Sequence, residues 1–174
     1  IKTNLLHFLL DNHLIAAEQH GFRPQHSTVS QLLECVVDWS NCLDKKKCVD
    51  VSSIDFKGAF DSVCHSKLLY KLQAIGASGH LLGWLSSFLL NRKQAVRIKN
   101  SLSNSVNVLS GIPQGTVLGP LMFMIYINDV CDVIKNCTCK LYADDVKLFM
   151  CYDKNDLMYY KLFQDDLDAL CAWA

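Results

Sequence analysis

The stretch Lys140-Leu-Tyr-Ala-Asp-Asp-Val-Lys-Leu-Phe149 places two adjacent carboxylates between two short runs of strand-forming residues. The aromatic, β-branched and aliphatic side chains on both sides favour a pleated, half-buried surface. The pattern therefore predicts a β-hairpin with Asp144 and Asp145 at its tip. Asp is also common in turns because its side chain hydrogen-bonds the nearby backbone, so the doublet alone equally fits a structural turn.

A third carboxylate lies far upstream, at the end of another apolar run. Residues 48–56 predict a strand with Asp55 near its end. If this strand neighbours the hairpin in one sheet, Asp55, Asp144 and Asp145 converge at one edge. Carboxylate oxygens suit Mg²⁺, and two such ions about 4 Å apart support an in-line displacement at phosphorus. The alternative is structural: Asp55 caps a helix start and the doublet fills a turn.

Three other segments carry candidates for binding a nucleotide. Arg23, in a Gly-Phe-Arg-Pro loop, has the fork geometry that binds phosphate, although an exposed loop Arg is usually only solvated. Gln114 and Gly115 lie in a Pro- and Gly-containing loop that allows close backbone approach to a ligand; the alternative is an ordinary turn. Phe60 is most simply a core aromatic, but a ring against a sugar would exclude a 2′-hydroxyl by volume.

The order of predicted elements indicates an α+β fold. A helix followed by a connector is predicted over about 2–18, and further helices at about 29–43, 68–75, 79–90, 120–130 and 155–173, with strands at 48–56, 94–99, 105–109 and in the hairpin. This order predicts an antiparallel sheet covered by helices on one face. Such an architecture is compatible with many functions.

Length and composition narrow the class of protein. The chain has 174 residues, 51% of them hydrophobic, which is enough to bury one core and predicts a single domain. The formal charge is zero, so no overall basic field indicates a nucleic-acid partner. Nine scattered cysteines, no secretory signal and no membrane span predict an intracellular protein of the nucleus or cytoplasm that is not secreted.

Four stretches, in this order, resemble the reverse transcriptases of non-long-terminal-repeat, jockey-like retrotransposons. They are Gln-His-Gly-Phe-Arg-Pro-Gln-His-Ser-Thr (19–28), Ile-Asp-Phe-Lys-Gly-Ala-Phe-Asp-Ser-Val (54–63), Ser-Gly-Ile-Pro-Gln-Gly-Thr-Val-Leu-Gly-Pro-Leu (110–121) and Leu-Tyr-Ala-Asp-Asp (141–145). The third stretch runs on to Tyr126-Ile-Asn-Asp129, a long form that resembles retrotransposon rather than retroviral enzymes. The resemblance covers nearly the whole chain.

The resemblance implies an RNA-directed DNA polymerase that extends a primer 3′-hydroxyl. Asp55, Asp144 and Asp145 would serve two Mg²⁺ ions, with Mn²⁺ as the alternative metal. The other implied site residues are Phe60 as a steric gate, Gln114 with Gly115 at the incoming nucleotide, and Arg23 at its triphosphate. The implied partners are an RNA template, a DNA primer and deoxynucleoside triphosphates, with no membrane and no named protein partner.

The implied fold is a polymerase palm, an antiparallel sheet backed by helices, with part of the fingers. Residues 1–48 would form the fingers side and residues 49–174 the palm of one partial domain. The chain stops before the thumb that such polymerases carry next, so we expect a fragment. It also departs from the family at Gln25 and His26, where Gly and a basic residue are usual; this is expected to weaken the nucleotide-side loop.

Two other functions remain open. A catalytically inactive remnant would retain at most nucleic-acid or protein binding, as the missing thumb suggests. An RNA-binding fold that uses its sheet face is the weaker alternative, because the aromatic stacking signature of such modules is not evident.

Overall fold

The structure, a computed structural model, describes residues 1–174. Its helices are α1 (Lys2–Asp11), α2 (Thr28–Asp44), α3 (Ala59–Ser62), α4 (His65–Ala74), α5 (Gly79–Leu89), α6 (Gly119–Ile127) and α7 (Tyr159–Trp173), with a 3₁₀ helix at Asn128–Val133. Its strands are β1 (Cys48–Ile54), β2 (Lys93–Gln94), β3 (Arg97–Ile98), β4 (Ser101–Leu102), β5 (Val106–Asn107), β6 (Thr138–Tyr142) and β7 (Asp145–Tyr152). The predicted α+β mixture of helices and antiparallel sheet is confirmed.

The chain divides into two compact units. The helical unit comprises Ile1–Leu6 with Gly58–Tyr126, and the sheet unit comprises His7–Lys57 with Ile127–Ala174. No helix in either unit is long and apolar enough to span a bilayer. All nine cysteines are free thiols.

The sheet unit is built on three antiparallel strands in the order β1-β7-β6. The central strand β7 has buried side chains on both of its faces, to which successive residues point alternately. One face is covered by α2, where the ring of Trp39 meets that of Phe149 edge-on with centroids 5.9 Å apart. This packing fixes the strand ends that carry the predicted carboxylates.

Helix α2 starts at a serine cap, Ser27. Ser27 Oγ accepts a hydrogen bond from the Ser30 N–H at 3.1 Å, and Ser30 Oγ accepts one from the Ser27 N–H at 2.9 Å. This reciprocal capping box satisfies two N–H groups that a helix start otherwise leaves unpaired.

Within the predicted helix and connector at 2–18, the helix ends at Asp11 and the connector follows. His13 adopts a left-handed backbone (φ 54°), and the Leu14 N–H reaches back to the Leu9 carbonyl at 2.8 Å. These contacts are those of a Schellman helix end, which usually uses glycine. Because His13 takes the glycine position, the sequence carries no ordinary stop signal there.

A buried carboxylate on α7 binds the backbone of residues 135–137, which lead into β6. Asp166 is 2% exposed and accepts hydrogen bonds from the backbone N–H groups of Lys135, Asn136 and Cys137 at 3.0, 2.8 and 2.6 Å. Burial raises the pKa of the Asp166 carboxyl, but these three N–H donors outweigh burial and hold the pKa below its ordinary value. The ionised form therefore stabilises this connection.

In the helical unit, α4 packs against α5 through buried leucines. The same unit contains a two-stranded ribbon. The ribbon pairs β2 with β5 and β3 with β4, both antiparallel, and all of its strand residues are exposed. The two predicted strands at 94–99 and 105–109 are thus confirmed as short ladders. The segment between them is not all turn, because Ser101 and Leu102 pair with Ile98 and Arg97, and the chain reverses at Lys99-Asn100, with Lys99 at φ 52°.

Candidate active site

Two of the predicted carboxylates meet at the end of the sheet. The β1–β7 ladder ends at the pair Ile54–Val146, and one residue further the same register places Asp55 opposite Asp145. Both side chains are exposed and line one cavity of about 320 Å³. Strand alternation puts Asp145 on the same face as Phe149, the face that α2 covers.

The third carboxylate, Asp144, lies in the hairpin turn. The closing pair is Tyr142–Asp145, so the predicted hairpin is confirmed, but its two-residue loop is Ala143-Asp144 and Asp145 begins β7 rather than lying at the tip. Ala143 has φ 55° while Asp144 does not have positive φ, which is the pattern of a type II′ turn. Asp144 is half-buried and does not line the cavity beside Asp55.

The carboxylates supply hard oxygen ligands of the kind that Mg²⁺ prefers. Asp55 and Asp145 present theirs to one cavity, and Asp144 is the next residue in the chain. No group of three or more Asp, Glu, His or Cys side chains is already gathered in an ion-binding arrangement. The structure therefore brings two of the three predicted ligands together and leaves the third in the adjoining turn.

A buried amide that the sequence analysis missed lines the same cavity. Gln31 on α2 is 4% exposed, and its Nε2 has no hydrogen-bond partner. An unsatisfied buried donor costs about 1–3 kcal/mol, so such a group is a candidate for binding a ligand. Its only sequence signal is a polar residue on the otherwise apolar stripe of α2.

Arg23 is partly anchored within the sheet unit. Its Nη1 donates to the carbonyls of Ala16 and Ala17 at 3.3 and 3.4 Å, and the side chain is half-buried. A guanidinium carries five N–H donors in a fixed fork, so these bonds orient the group without using all of its donors. Its role at a triphosphate remains a prediction.

In the helical unit, two predicted site residues belong to one hydrogen-bonded cluster. Gln114 Nε2 donates to Asp61 Oδ1 at 2.8 Å, and the Ile112 N–H donates to the Phe60 carbonyl at 2.8 Å. Ser110 Oγ also donates to the Asp61 carbonyl, at 2.9 Å. Asp61 is thus a residue that the sequence analysis missed, although it lies within the quoted stretch 54–63.

The environment of Phe60 also fits a core aromatic, and that of Gly115 also fits an ordinary turn. Phe60 is half-buried and stacks on Phe123 with ring centroids 4.1 Å apart and planes at 16°, as a core aromatic does. Gly115 has φ 72°, and a Cβ there would meet no atom within 4 Å. Turn conformation, rather than crowding, therefore favours glycine at 115.

An ion pair fastens the hairpin to α2. Lys140 Nζ lies 2.6 Å from Glu34 Oε2, and His20 Nε2 lies 3.4 Å from the same oxygen. The hydrogen bond from Lys140 holds the pKa of Glu34 below its ordinary value. Burial lowers the pKa of His20 although the Glu34 carboxylate raises it, so the neutral imidazole is favoured.

The zero formal charge conceals an uneven distribution. The helical unit carries seven Lys and Arg against one Asp, a net charge of +6, whereas the sheet unit carries ten against sixteen acidic residues, a net charge of −6. The chain as a whole therefore has no basic field, as expected, but the helical unit by itself is basic. A locally basic surface is the electrostatic property that nucleic-acid contacts require.

Comparison with known proteins identifies the family. Residues 1–174, the whole chain, match the family described as reverse transcriptase (RNA-dependent DNA polymerase). The chain belongs to the reverse transcriptase family.

This reverse transcriptase domain is similar to enzymes of insect mobile elements. It is 30% identical over 181 residues to the probable RNA-directed DNA polymerase from transposon BS of Drosophila melanogaster, covering 99% of this chain and 20% of that protein. It is 32% identical to the RNA-directed DNA polymerase from mobile element jockey of Drosophila funebris, covering 90% and 18%. The chain thus spans about a fifth of the length of these relatives, and the resemblance to retrotransposon enzymes is confirmed.

Proposed function

We propose that this reverse transcriptase domain carries the nucleotidyl-transfer site of an RNA-directed DNA polymerase that copies a retrotransposon RNA. The observation that supports this function most directly is the placement of Asp55 opposite Asp145 beside one cavity, with Asp144 in the adjoining turn. In a chain of this family, that end of the sheet is the best candidate for the reacting centre.

Asp55, Asp144 and Asp145 would hold two divalent ions, Mg²⁺ or alternatively Mn²⁺. When bound, the ions would activate the primer 3′-hydroxyl and offset charge on the transferring phosphate. The three carboxylates contribute hard oxygen ligands and a negative field that concentrates cations at this edge. Gln31, with its unpartnered amide nitrogen, contributes a donor for a phosphate or sugar oxygen in the same cavity.

Recognition of the deoxynucleoside triphosphate is assigned to the remaining predicted residues. Gln114 would contact the incoming nucleotide, with its amide orientation fixed by Asp61 and with Gly115 giving the loop its turn. Phe60 would act as the steric gate, held rigid by Phe123. Arg23 would bind the triphosphate through the donors that the backbone carbonyls leave unused.

The RNA template and DNA primer would contact basic surface of the helical unit. Four of its cations, Arg92, Lys93, Arg97 and Lys99, lie on the exposed ribbon within eight residues, with no acidic residue among them. In fold terms we assign residues 49–174 to the palm and 1–48 to the fingers side, with no thumb among residues 1–174. An intracellular location follows from this function.

Primer extension on an RNA template tests the function. The 174-residue chain is assayed with Mg²⁺ or Mn²⁺ alongside Asp144→Ala and a control, Asp50→Ala, which alters the same sheet far from the turn. We expect copying that Asp144→Ala abolishes and Asp50→Ala retains. Copying at an unaltered rate by Asp144→Ala would exclude the proposed site, and metal-independent copying would exclude the metal mechanism. No specific observation favours the inactive-remnant alternative.

A further inference from the structure

A segment before α2 runs alongside the hairpin and contacts its turn. The Leu141 N–H donates to the Glu18 carbonyl and the His20 N–H donates to the Leu141 carbonyl, both at 2.9 Å, as in a short parallel bridge. His20 is additionally fixed by Ser30 and Glu34 on α2. The segment is therefore held in register with β6 and with the helix that covers the sheet.

Within this segment, the side chain of Gln19 forms hydrogen bonds with both the backbone N–H and the backbone carbonyl of Ala143. Gln19 Oε1 accepts from the Ala143 N–H at 2.9 Å, and Gln19 Nε2 lies 3.4 Å from the Ala143 carbonyl oxygen, to which it donates. The same Oε1 accepts from the Gly21 N–H at 2.7 Å. Gln19 is 1% exposed, so these groups have no water to replace a broken hydrogen bond.

Gly21 also lies against the backbone of Ala143. A Cβ at position 21 would collide with the Ala143 backbone nitrogen and lie 2.9 Å from the Ala143 Cα. Only glycine therefore lets the segment approach the turn this closely. Ala143 itself is left-handed (φ 55°), a conformation that costs a non-glycine residue about 1 kcal/mol and persists where surrounding contacts impose it.

We propose that Gln19 is a positioning residue, which with Gly21 imposes the left-handed conformation of Ala143 and thereby aligns Asp144 and Asp145. The inference rests on the proposed function, since it concerns the geometry of the proposed metal ligands. Gln19 touches no reacting atom; it acts through Ala143, the residue immediately before the carboxylate doublet. A small rotation at Ala143 would redirect both carboxylates, because they follow it directly in the chain.

The test compares Mn²⁺ affinity, measured by electron paramagnetic resonance on the 174-residue chain, with melting temperature and with the amide hydrogen exchange of Ala143. The variants are Gln19→Met, which removes the polar contacts at similar volume, and Gly21→Ala, which crowds the turn. Asp166→Ala is the matched control, because Asp166 is also a buried polar side chain that binds backbone N–H groups, but at residues 135–137.

We expect Gln19→Met and Gly21→Ala to weaken Mn²⁺ binding about tenfold or more, the range seen when groups that orient metal ligands are removed. Exchange of the Ala143 amide should accelerate in Gln19→Met. Asp166→Ala should lower the melting temperature at unchanged Mn²⁺ affinity. Mn²⁺ affinity in Gln19→Met within twofold of wild type, while Asp144→Ala abolishes binding, would overturn the inference.

Failure of the proposed function gives a different result. If Asp144→Ala leaves Mn²⁺ binding unchanged, the metal site is refuted, and the role of Gln19 is then judged by exchange alone. Faster Ala143 exchange in Gln19→Met than in Asp166→Ala supports the positioning role without a metal. Equal exchange in these two variants refutes it.

Discussion

Asp55 and Asp145 flank the Ile54–Val146 pair that ends the β1–β7 ladder, and both line one cavity. Like charges in such a position destabilise a sheet by about 0.2–1 kcal/mol. A cation bound between the carboxylates would remove this repulsion, so we expect metal binding at this end of the sheet to increase folding stability.

The first prediction follows from this repulsion. Asp55→Asn should raise the free energy of unfolding in metal-free buffer by up to about 1 kcal/mol, because one of the opposed charges is gone. It should also reduce primer extension at least about 10²-fold, because a metal ligand is removed. Denaturant unfolding and primer extension on the same preparation measure the two effects.

The control for this prediction is Asp50→Asn, at the other end of β1. Asp50 accepts a hydrogen bond from the Tyr152 hydroxyl at 3.2 Å and lies away from the cavity. Its replacement should cost about 0.5–1.5 kcal/mol and leave primer extension unchanged. A reduced stability of Asp55→Asn, with full activity, would contradict the assignment.

The second prediction concerns the amide of Gln114. Asp61→Ala removes the carboxylate that accepts from Gln114 Nε2, so the amide becomes free to rotate. The KM for the deoxynucleoside triphosphate should rise several-fold with a smaller change in kcat, as expected when ground-state and transition-state binding weaken together. Ser110→Ala, which removes the other side-chain bond to Asp61, should leave the KM unchanged.

The third prediction is a pH dependence of stability. The folded pKa of Asp166 lies below its ordinary value, so the ionised carboxylate stabilises the fold above the unfolded pKa of about 4, and this contribution disappears as pH falls through the folded pKa. Asp166→Ala should therefore cost at least about 2 kcal/mol at pH 7 and progressively less below pH ~4. Urea unfolding between pH 3 and 7 measures the difference.

The exposed neighbour Asp165 provides the control for this pH series. Asp165→Ala should change the free energy of unfolding by less than about 0.5 kcal/mol across the series. A cost of Asp166→Ala that stays constant down to pH 3 would show that packing, rather than ionisation, is what the carboxylate contributes.

The fourth prediction addresses the ribbon as a nucleic-acid interface. Arg97→Gln with Lys99→Gln should weaken binding to an RNA template annealed to a DNA primer, and should lower the slope of log affinity against log salt by about 1 for each phosphate that is no longer neutralised. Lys154→Gln with Lys161→Gln removes two exposed cations from the sheet unit and should have no such effect. Equal slopes in the two double variants would exclude the ribbon from the interface.

The fifth prediction concerns a strained residue in the loop before α2. Gln25 has φ 62°, a left-handed conformation that glycine adopts at lower cost. Gln25→Gly should raise the free energy of unfolding by up to about 1 kcal/mol because it relieves the backbone strain. Gln25→Ala keeps the Cβ and should give no gain, and thermal unfolding of both variants checks the difference.

The hairpin could be predicted from the sequence because strand-forming residues flank the acidic doublet, and periodicity is set locally. The sequence alone could not show that the strand before Asp55 neighbours the hairpin. The β1–β7 register shows that it does, and it brings Asp55 to the end of the sheet where Asp145 lies. The tip at Ala143 was not predictable, since alanine has no preference for positive φ and is held there by contacts with Gln19.

The buried amides and the charge distribution could not be predicted from the sequence for a different reason. Gln19 and Gln31 are polar residues that composition alone places at the surface, and only the three-dimensional packing shows them to be enclosed. Likewise, the charge of +6 on the helical unit emerges only when it is known that Ile1–Leu6 and Gly58–Tyr126 form one unit.

The contact between Gln19 and Ala143 joins residues 124 positions apart in the chain. A shortened copy beginning after Gly21 would keep all three carboxylates proposed for the reaction. Its hairpin turn would lack the hydrogen bonds that Gln19 makes with Ala143. If Gln19 has the proposed role, we expect a degraded copy that keeps its acidic motifs but has lost the Gln19-His20-Gly21 segment to lack polymerase activity.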